Sequence, residues 1–179
     1  NFVQRLRLRT LVIALLLSGP SLYADDLDTR VANVLKTTPL IDGHNDMPWQ
    51  YHRRVSNHLS QLDLASDLTQ IDNPTHTDIP RLRRGMVGGV FWSVYVPIEG
   101  YGGKPQAVQA VMDQIDLVKR LINHHDHDLQ LALDASSIRK IHATGKIASL
   151  IGMEGGHSIN NSLASLRQLY DLGARYMTL

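Results

Sequence analysis

The sequence predicts an α/β fold in which parallel strands are covered by helices. Residues 87–96 and 147–153 are continuous apolar runs in which serine is the one polar residue type, and the first run is rich in β-branched and aromatic residues; such runs are typical of strands buried on both faces. Segments with helical spacing of apolar residues follow both of them. The 43% hydrophobic and 20% charged residues among 179 are typical of a globular protein. An open doubly wound sheet and part of a (β/α)8 barrel both fit this alternation.

The remaining elements are predicted in chain order. An amphipathic helix over residues 27–36 is followed by Pro39 and by an apolar strand from residue 40. Residues 47–85 are polar and contain prolines, so only short helical pieces are expected there. A helix is predicted over residues 106–124. Asp134 is expected to cap a second helix that runs up to residue 142, and Asn160 or Asn161 is expected to cap a third helix over residues 162–172. Short strands are expected at residues 129–133 and from residue 174 onward. We expect the last helix to turn four residues inward: Leu163, Leu166, Leu169 and Tyr170.

Residues 1–24 have the pattern of a signal peptide. Three arginines precede a short apolar run at residues 11–17, and small residues lead to Ala24, after which we expect cleavage. The run is too short to span ~30 Å of hydrocarbon. We therefore expect export to a bacterial periplasm, with signal peptidase as a partner; membrane retention by an uncleaved signal is the alternative.

Charge and cysteine content exclude several classes of protein. Of 18 basic residues the leader holds three, so residues 25–179 carry 15 basic and 17 acidic residues. A chain with this balance is not an electrostatic nucleic-acid binder. Because the sequence has no cysteine, any transition metal must be bound by His, Asp and Glu side chains.

Candidate metal ligands follow two of the predicted strands. His44 and Asp46 come after the strand that starts at residue 40, and residues two apart in an extended segment point the same way. Glu154 directly follows the strand at residues 147–153. Because parallel strands end at one rim, these three side chains are expected to converge as a site for zinc or a similar ion. Asp42 is a candidate for orienting His44.

Other polar groups have a simpler structural interpretation. The run of residues 124–127 contains three histidines, but it lies at a predicted helix C-terminus, where the helix dipole favours histidine. Trp92 is expected in the core, and Trp49 could line a pocket. No serine has an evident base and acid partner for nucleophilic catalysis.

Four blocks of sequence resemble the membrane dipeptidase (renal dipeptidase) family of zinc metallopeptidases. They are LIDGHNDMPWQ at residues 40–50, GGVFWSVYVP at 88–97, LIGMEGGHSI at 150–159 and LGARYMTL at 172–179. The blocks are spread from about residue 38 to the end of the chain in the order that the family has. The resemblance implies that residues 25–179 are the N-terminal portion of a single (β/α)8 TIM-type barrel domain, truncated after about half of the barrel.

The resemblance also implies an activity and a ligand set. Members hydrolyse dipeptides with two zinc ions and a hydroxide that bridges them. By motif match, His44 and Asp46 would bind one zinc and Glu154 would bridge both, whereas His157 is not a ligand. The family's other two zinc-binding histidines come later than position 179, so we expect this chain by itself to be inactive, with a homodimer possible for the full-length enzyme. The alternatives are another metal-dependent amidohydrolase-type barrel acting on a cyclic amide, lactone or ester, and a non-catalytic relative.

Overall fold

The computed structural model describes the backbone of residues 21–179 and the side chains of residues 26–179. The chain divides into two compact units, residues 1–36 and 37–179. Helix α1 (Ser21–Thr37) includes the predicted helix over 27–36 and begins earlier. Residues 1–20 of the predicted leader lie outside the described residues, and the expected cleavage point after Ala24 falls within α1. Along residues 21–179, no helix is both long enough and apolar enough to cross a bilayer.

The second unit alternates strands and helices as predicted. Its elements are β1 (Leu40–Asn45), α2 (Met47–Val55), a 3₁₀ turn (Leu59–Gln61), α3 (Ile79–Arg84), β2 (Val87–Tyr95), α4 (Ile98–Tyr101), α5 (Gln106–His124), β3 (Leu129–Leu131), α6 (Ala135–Ala143), β4 (Ile147–Glu154), a second 3₁₀ turn (Gly156–Ile159), α7 (Leu163–Asp171) and β5 (Ala174–Met177).

The five strands form one parallel sheet. β1 pairs with β2, and β2 pairs with β4 without interruption from Gly89↔Ala148 to Tyr95↔Glu154. β3 pairs with residues 147–149 of β4, and β5 pairs with residues 151–153. Because β2 occupies one edge of β4, β3 and β5 share the other edge. The carboxyl ends of β1, β2, β4 and β5 therefore lie at one rim of the sheet.

Alternate residues of β2 face two different apolar layers. Trp92 is fully buried in the larger core, which the long helix α5 covers. Phe91 packs on the opposite face, in a smaller cluster with Ile141 of α6. Near the start of β2, Gly88 lies against His142, also in α6. Helix α6 therefore covers this second face near the amino ends of the strands.

Helix α7 differs from the prediction. Its N-cap is Ser162, whose backbone is extended and whose hydroxyl accepts a hydrogen bond from the backbone N–H of Ser165 at 3.2 Å. Asn160 and Asn161 have φ of 48° and 55°, so the predicted asparagine cap is wrong: both residues form the left-handed turn before the cap. Of the four residues expected to face inward, Leu169 is buried, whereas Leu163 and Tyr170 are exposed.

Candidate metal centre

His44 and Asp46 lie where β1 runs into α2. Asp46 is the residue before the first turn of α2, and Pro48 in that turn fits a helix start because it needs no backbone hydrogen-bond donor there. The Asp46 carboxylate caps no backbone N–H of the helix. Instead, its Oδ1 atom lies 3.2 Å from Nε2 of His44. The turn therefore directs both side chains towards one point above the rim.

Glu154 reaches the same point from β4. Its Oε2 atom lies 3.2 Å from Nε2 of His44 and accepts a hydrogen bond of 2.9 Å from the hydroxyl of Ser93. Potential ligand atoms of His44, Asp46 and Glu154 all lie within 4.8 Å of one another. Their side chains are 40%, 57% and 36% exposed, so an ion could enter from solvent. Among the described residues, no other group of three His, Asp or Glu side chains meets this distance.

The hydrogen bonds of His44 show that the set suits a cation. Nδ1 lies 3.0 Å from the hydroxyl of Tyr176, and that hydroxyl donates to the carbonyl oxygen of Gly43 at 3.1 Å. Since Tyr176 has one proton to donate, Nδ1 must supply the proton of the first bond. Nε2 of the same ring then faces one carboxylate oxygen each of Asp46 and Glu154 at 3.2 Å. This arrangement is favourable with a cation between these groups, and one imidazole with two carboxylates is a suitable donor set for a divalent ion.

Tyr176 holds its place because β4 has a glycine beneath the ring. A Cβ atom on Gly152 would lie 2.1 Å from Cζ of Tyr176, so no other residue type leaves room for the ring. The ring also packs on Phe91, with centroids 5.1 Å apart. Burial raises the pKa of Tyr176, and the negative charges of Glu154 and nearby aspartates raise it further. The hydroxyl therefore keeps the proton that it donates to the backbone.

Asp42 contacts the backbone of His44 and not its imidazole. One carboxylate oxygen of Asp42 accepts the backbone N–H of His44 at 3.1 Å, and the other accepts the side-chain amide of Asn45 at 2.8 Å. Asn45 in turn donates to the hydroxyl of Thr77 at 2.9 Å. Asp42 therefore shapes the turn that carries His44, while Tyr176 contacts the ring.

The other histidines lie outside this group. Nε2 of His157 is 2.6 Å from the carbonyl oxygen of Val96. His125 is 8% exposed, and burial lowers the pKa of its imidazole. His127, by contrast, extends fully into solvent. This geometry agrees with the structural interpretation of the histidines at residues 124–127.

The two tryptophans lie in different surroundings. Trp92 is in the core as predicted. Trp49 lines a small cavity, where its ring stacks on the ring of His52 with centroids 4.9 Å apart.

A polar cavity of about 450 Å³ adjoins two of the three candidate ligands. His44 and Asp46 form part of its wall, and helix α2 and residues 74–77 form the rest. This volume is within the range of small-molecule sites. A ligand in this cavity would lie beside the candidate metal centre.

The fold and site define a class of protein: a parallel α/β chain with a candidate metal centre at the carboxyl rim of its strands. Within that class, the chain belongs to the membrane dipeptidase family (peptidase family M19), whose family model matches residues 28–179. The predicted family is therefore confirmed.

Solved structures of similar fold include members of the same family. The metallopeptidase dipeptidase AC of family M19 is 24% identical with a TM-score of 0.63. A metallopeptidase from Rhodobacter sphaeroides, bound to a phosphinate mimic of L-Ala-D-Ala, is 23% identical, also with a TM-score of 0.63. The probable dipeptidase PvdM from Pseudomonas aeruginosa is 16% identical with a TM-score of 0.61.

These likenesses show the fold and its extent. The matches cover 79%, 79% and 83% of this chain but 42%, 45% and 36% of the respective structures. The chain thus spans less than half the length of these relatives. Its open parallel sheet corresponds to part of a dipeptidase barrel, as the fold prediction stated.

Proposed function

We propose that this protein hydrolyses dipeptides with zinc ions bound by His44, Asp46 and Glu154. The observation that carries the proposal is the convergence of one imidazole and two carboxylates, from strands 110 residues apart in sequence, within a chain of the membrane dipeptidase family. Divalent ions in such sites lower the pKa of water and polarise a carbonyl group.

The protein's own groups hold the three ligands in position. Tyr176 fixes the ring of His44 so that Nε2 is the ligating atom, and Ser93 fixes one oxygen of Glu154. The other oxygen, Oε1, forms no hydrogen bond with any residue among 26–179. Glu154 therefore has a free oxygen for a second ion, and we propose that it bridges two.

Substitution of Glu154 tests this proposal. Glu154→Gln preserves the size of the side chain but removes its charge, so we expect it to lower kcat for Ala-Ala by at least 100-fold and to reduce bound zinc. Both are measured in the protein expressed from its complete gene, by product formation and by metal analysis. The control is Glu99→Gln, an exposed glutamate of α4 for which we expect parental values. A Glu154→Gln protein with parental kcat and parental zinc would refute the assignment.

We also propose that the protein is exported and that residues 1–24 are removed. The proposal rests on the arginines and short apolar run of that segment. N-terminal sequencing of protein recovered from the periplasm is expected to begin at Asp25. Recovery in the membrane fraction with Arg5 still present would show retention by the signal.

A further inference from the structure

The cavity beside the candidate metal centre has an excess of positive charge. Its charged lining residues are two arginines of α2, Arg53 and Arg54, and one acid, Asp46, while His44 and His76 are the titratable groups that can be neutral. Asp46 is also a candidate metal ligand, so an ion bound there would compensate its charge. The remaining charge of the wall is that of the arginines.

The two arginines are held differently. Nε of Arg54 donates a hydrogen bond to Oε1 of Gln50 at 2.9 Å, and Nη1 donates one to the carbonyl oxygen of Asn73. These two bonds hold the guanidinium at the cavity wall, and its other N–H groups are available to a ligand. Arg53 is exposed and makes no hydrogen bond or ion pair with any residue among 26–179. One guanidinium is therefore positioned in advance, and the other is free to bind a ligand.

Both arginine side chains line the same cavity as His44 and Asp46. Arg53 lies seven residues after Asp46, which corresponds to roughly 10 Å along α2. Because Cα–Cβ bonds in a helix tilt towards its N-terminus, the arginine stems lean back towards Asp46. The terminal carboxylate of a dipeptide lies only one residue from the scissile bond, roughly 3.5 Å. A glutamyl side chain extends its carboxylate further from the scissile bond, and the arginines lie further along α2 than Asp46 does.

We infer that this cavity binds an acidic side chain of the substrate, so that the enzyme prefers dipeptides containing glutamate. The inference rests on the proposed function for its substrate class, and it adds Arg53 and Arg54 as specificity-determining residues. A carboxylate bound between two guanidinium groups makes charge-assisted hydrogen bonds, which a glutamine side chain of the same shape cannot match.

Binding without turnover tests the inference separately from catalysis. Calorimetric titrations of chelator-treated protein compare Ala-Glu with Ala-Gln and Glu-Ala with Gln-Ala. We expect at least one acidic dipeptide to bind tenfold or more tightly than its glutamine counterpart, and this preference to weaken with added salt. Arg53→Gln should reduce the preference to within twofold. The control Arg167→Gln, which removes the same charge from an exposed position on α7, should keep it.

The outcomes separate the two proposals. The inference is overturned if the parent protein shows no preference for an acidic dipeptide over its glutamine counterpart, or if the Arg53→Gln variant keeps that preference. Either result counts against it even if Ala-Ala is hydrolysed. A preference that depends on Arg53, in a protein that binds no zinc and hydrolyses no dipeptide, supports the carboxylate site and refutes the proposed function. With zinc restored, the preference is expected in KM for the acidic dipeptides, and the control Arg167→Gln is expected to keep the parental kcat for Ala-Ala.

Discussion

Replacing Tyr176 with phenylalanine removes one oxygen atom from the support of the metal centre. The hydroxyl lies 3.0 Å from Nδ1 of His44 and donates to Gly43 at 3.1 Å. Phenylalanine keeps the ring that packs on Phe91 and over Gly152. Tyr176→Phe therefore leaves the packing intact but no longer fixes which nitrogen of His44 carries the proton.

The size of the effect follows from the exposure of the site. Loss of a partner to a ligating histidine typically weakens metal affinity 10- to 100-fold, or about 1.4–2.8 kcal/mol. His44 is 40% exposed, so water can replace the lost acceptor, and we expect the lower end, roughly tenfold. Cobalt titrated against a competing chelator, with absorption as the signal, measures the dissociation constant.

The control is the same chemical change at an exposed tyrosine. Tyr170 packs its ring against Arg175, and its hydroxyl makes no hydrogen bond within residues 26–179. Tyr170→Phe should therefore bind cobalt as the parent does. Parental cobalt affinity in Tyr176→Phe would refute the positioning role, and an equal loss in Tyr170→Phe would show that the assay reports a global change.

Three further substitutions test the fold and the site. Gly152→Ala places a methyl group 2.1 Å from Cζ of Tyr176 and should weaken cobalt binding at least as much as Tyr176→Phe; Gly100→Ala, which meets no atom within 4 Å, should have no effect. Asp78→Ala should lower the free energy of unfolding in urea by about 3 kcal/mol, because this fully buried carboxylate pairs with Arg81 and caps α3. The control is the same change at the exposed Asp116: Asp116→Ala should lower the free energy of unfolding by less than about 0.5 kcal/mol. Equal losses in the two variants would contradict this account. Burial lowers the pKa of His125, so its contribution to stability is complete above about pH 6.5 and is lost as pH falls towards its folded-state pKa. Thermal unfolding of His125→Gln should lose this part of the pH dependence, and an unchanged pH profile would show that another group is responsible.

Local patterns were sufficient to predict most of the fold. The spacing of apolar residues predicted α5 at residues 106–124, and Asp134 caps α6 as expected, through a hydrogen bond to the backbone of Ser137. Strands buried on both faces gave continuous apolar runs, which predicted the parallel sheet and the rim where His44 and Glu154 meet. The cap of α7 was missed because both asparagines and Ser162 are common cap residues, and only the backbone angles distinguish them.

The groups that position the ligands could not be predicted from local patterns. Ser93 is a small polar residue within an apolar strand, and its partner Glu154 is 61 residues away. Tyr176 resembles any strand aromatic residue, and its contact with His44 spans 132 residues. The period of two places Ser93 on the same face as Phe91, but the sequence contains no signal for the strand order that brings Tyr176 to β1.

The contact between Tyr176 and His44 also shows how strongly the sheet curves. Two strands, β2 and β4, lie between β1 and β5. At about 4.8 Å between neighbours, a flat sheet would separate β1 and β5 by roughly 14 Å. The hydroxyl of Tyr176 is nevertheless 3.0 Å from Nδ1 of His44, so both side chains extend inward from a concave face, as they would inside a barrel. The curvature of the sheet thus positions the donor set, and a bound ion would in turn favour the curved arrangement by stabilising the contacts of His44.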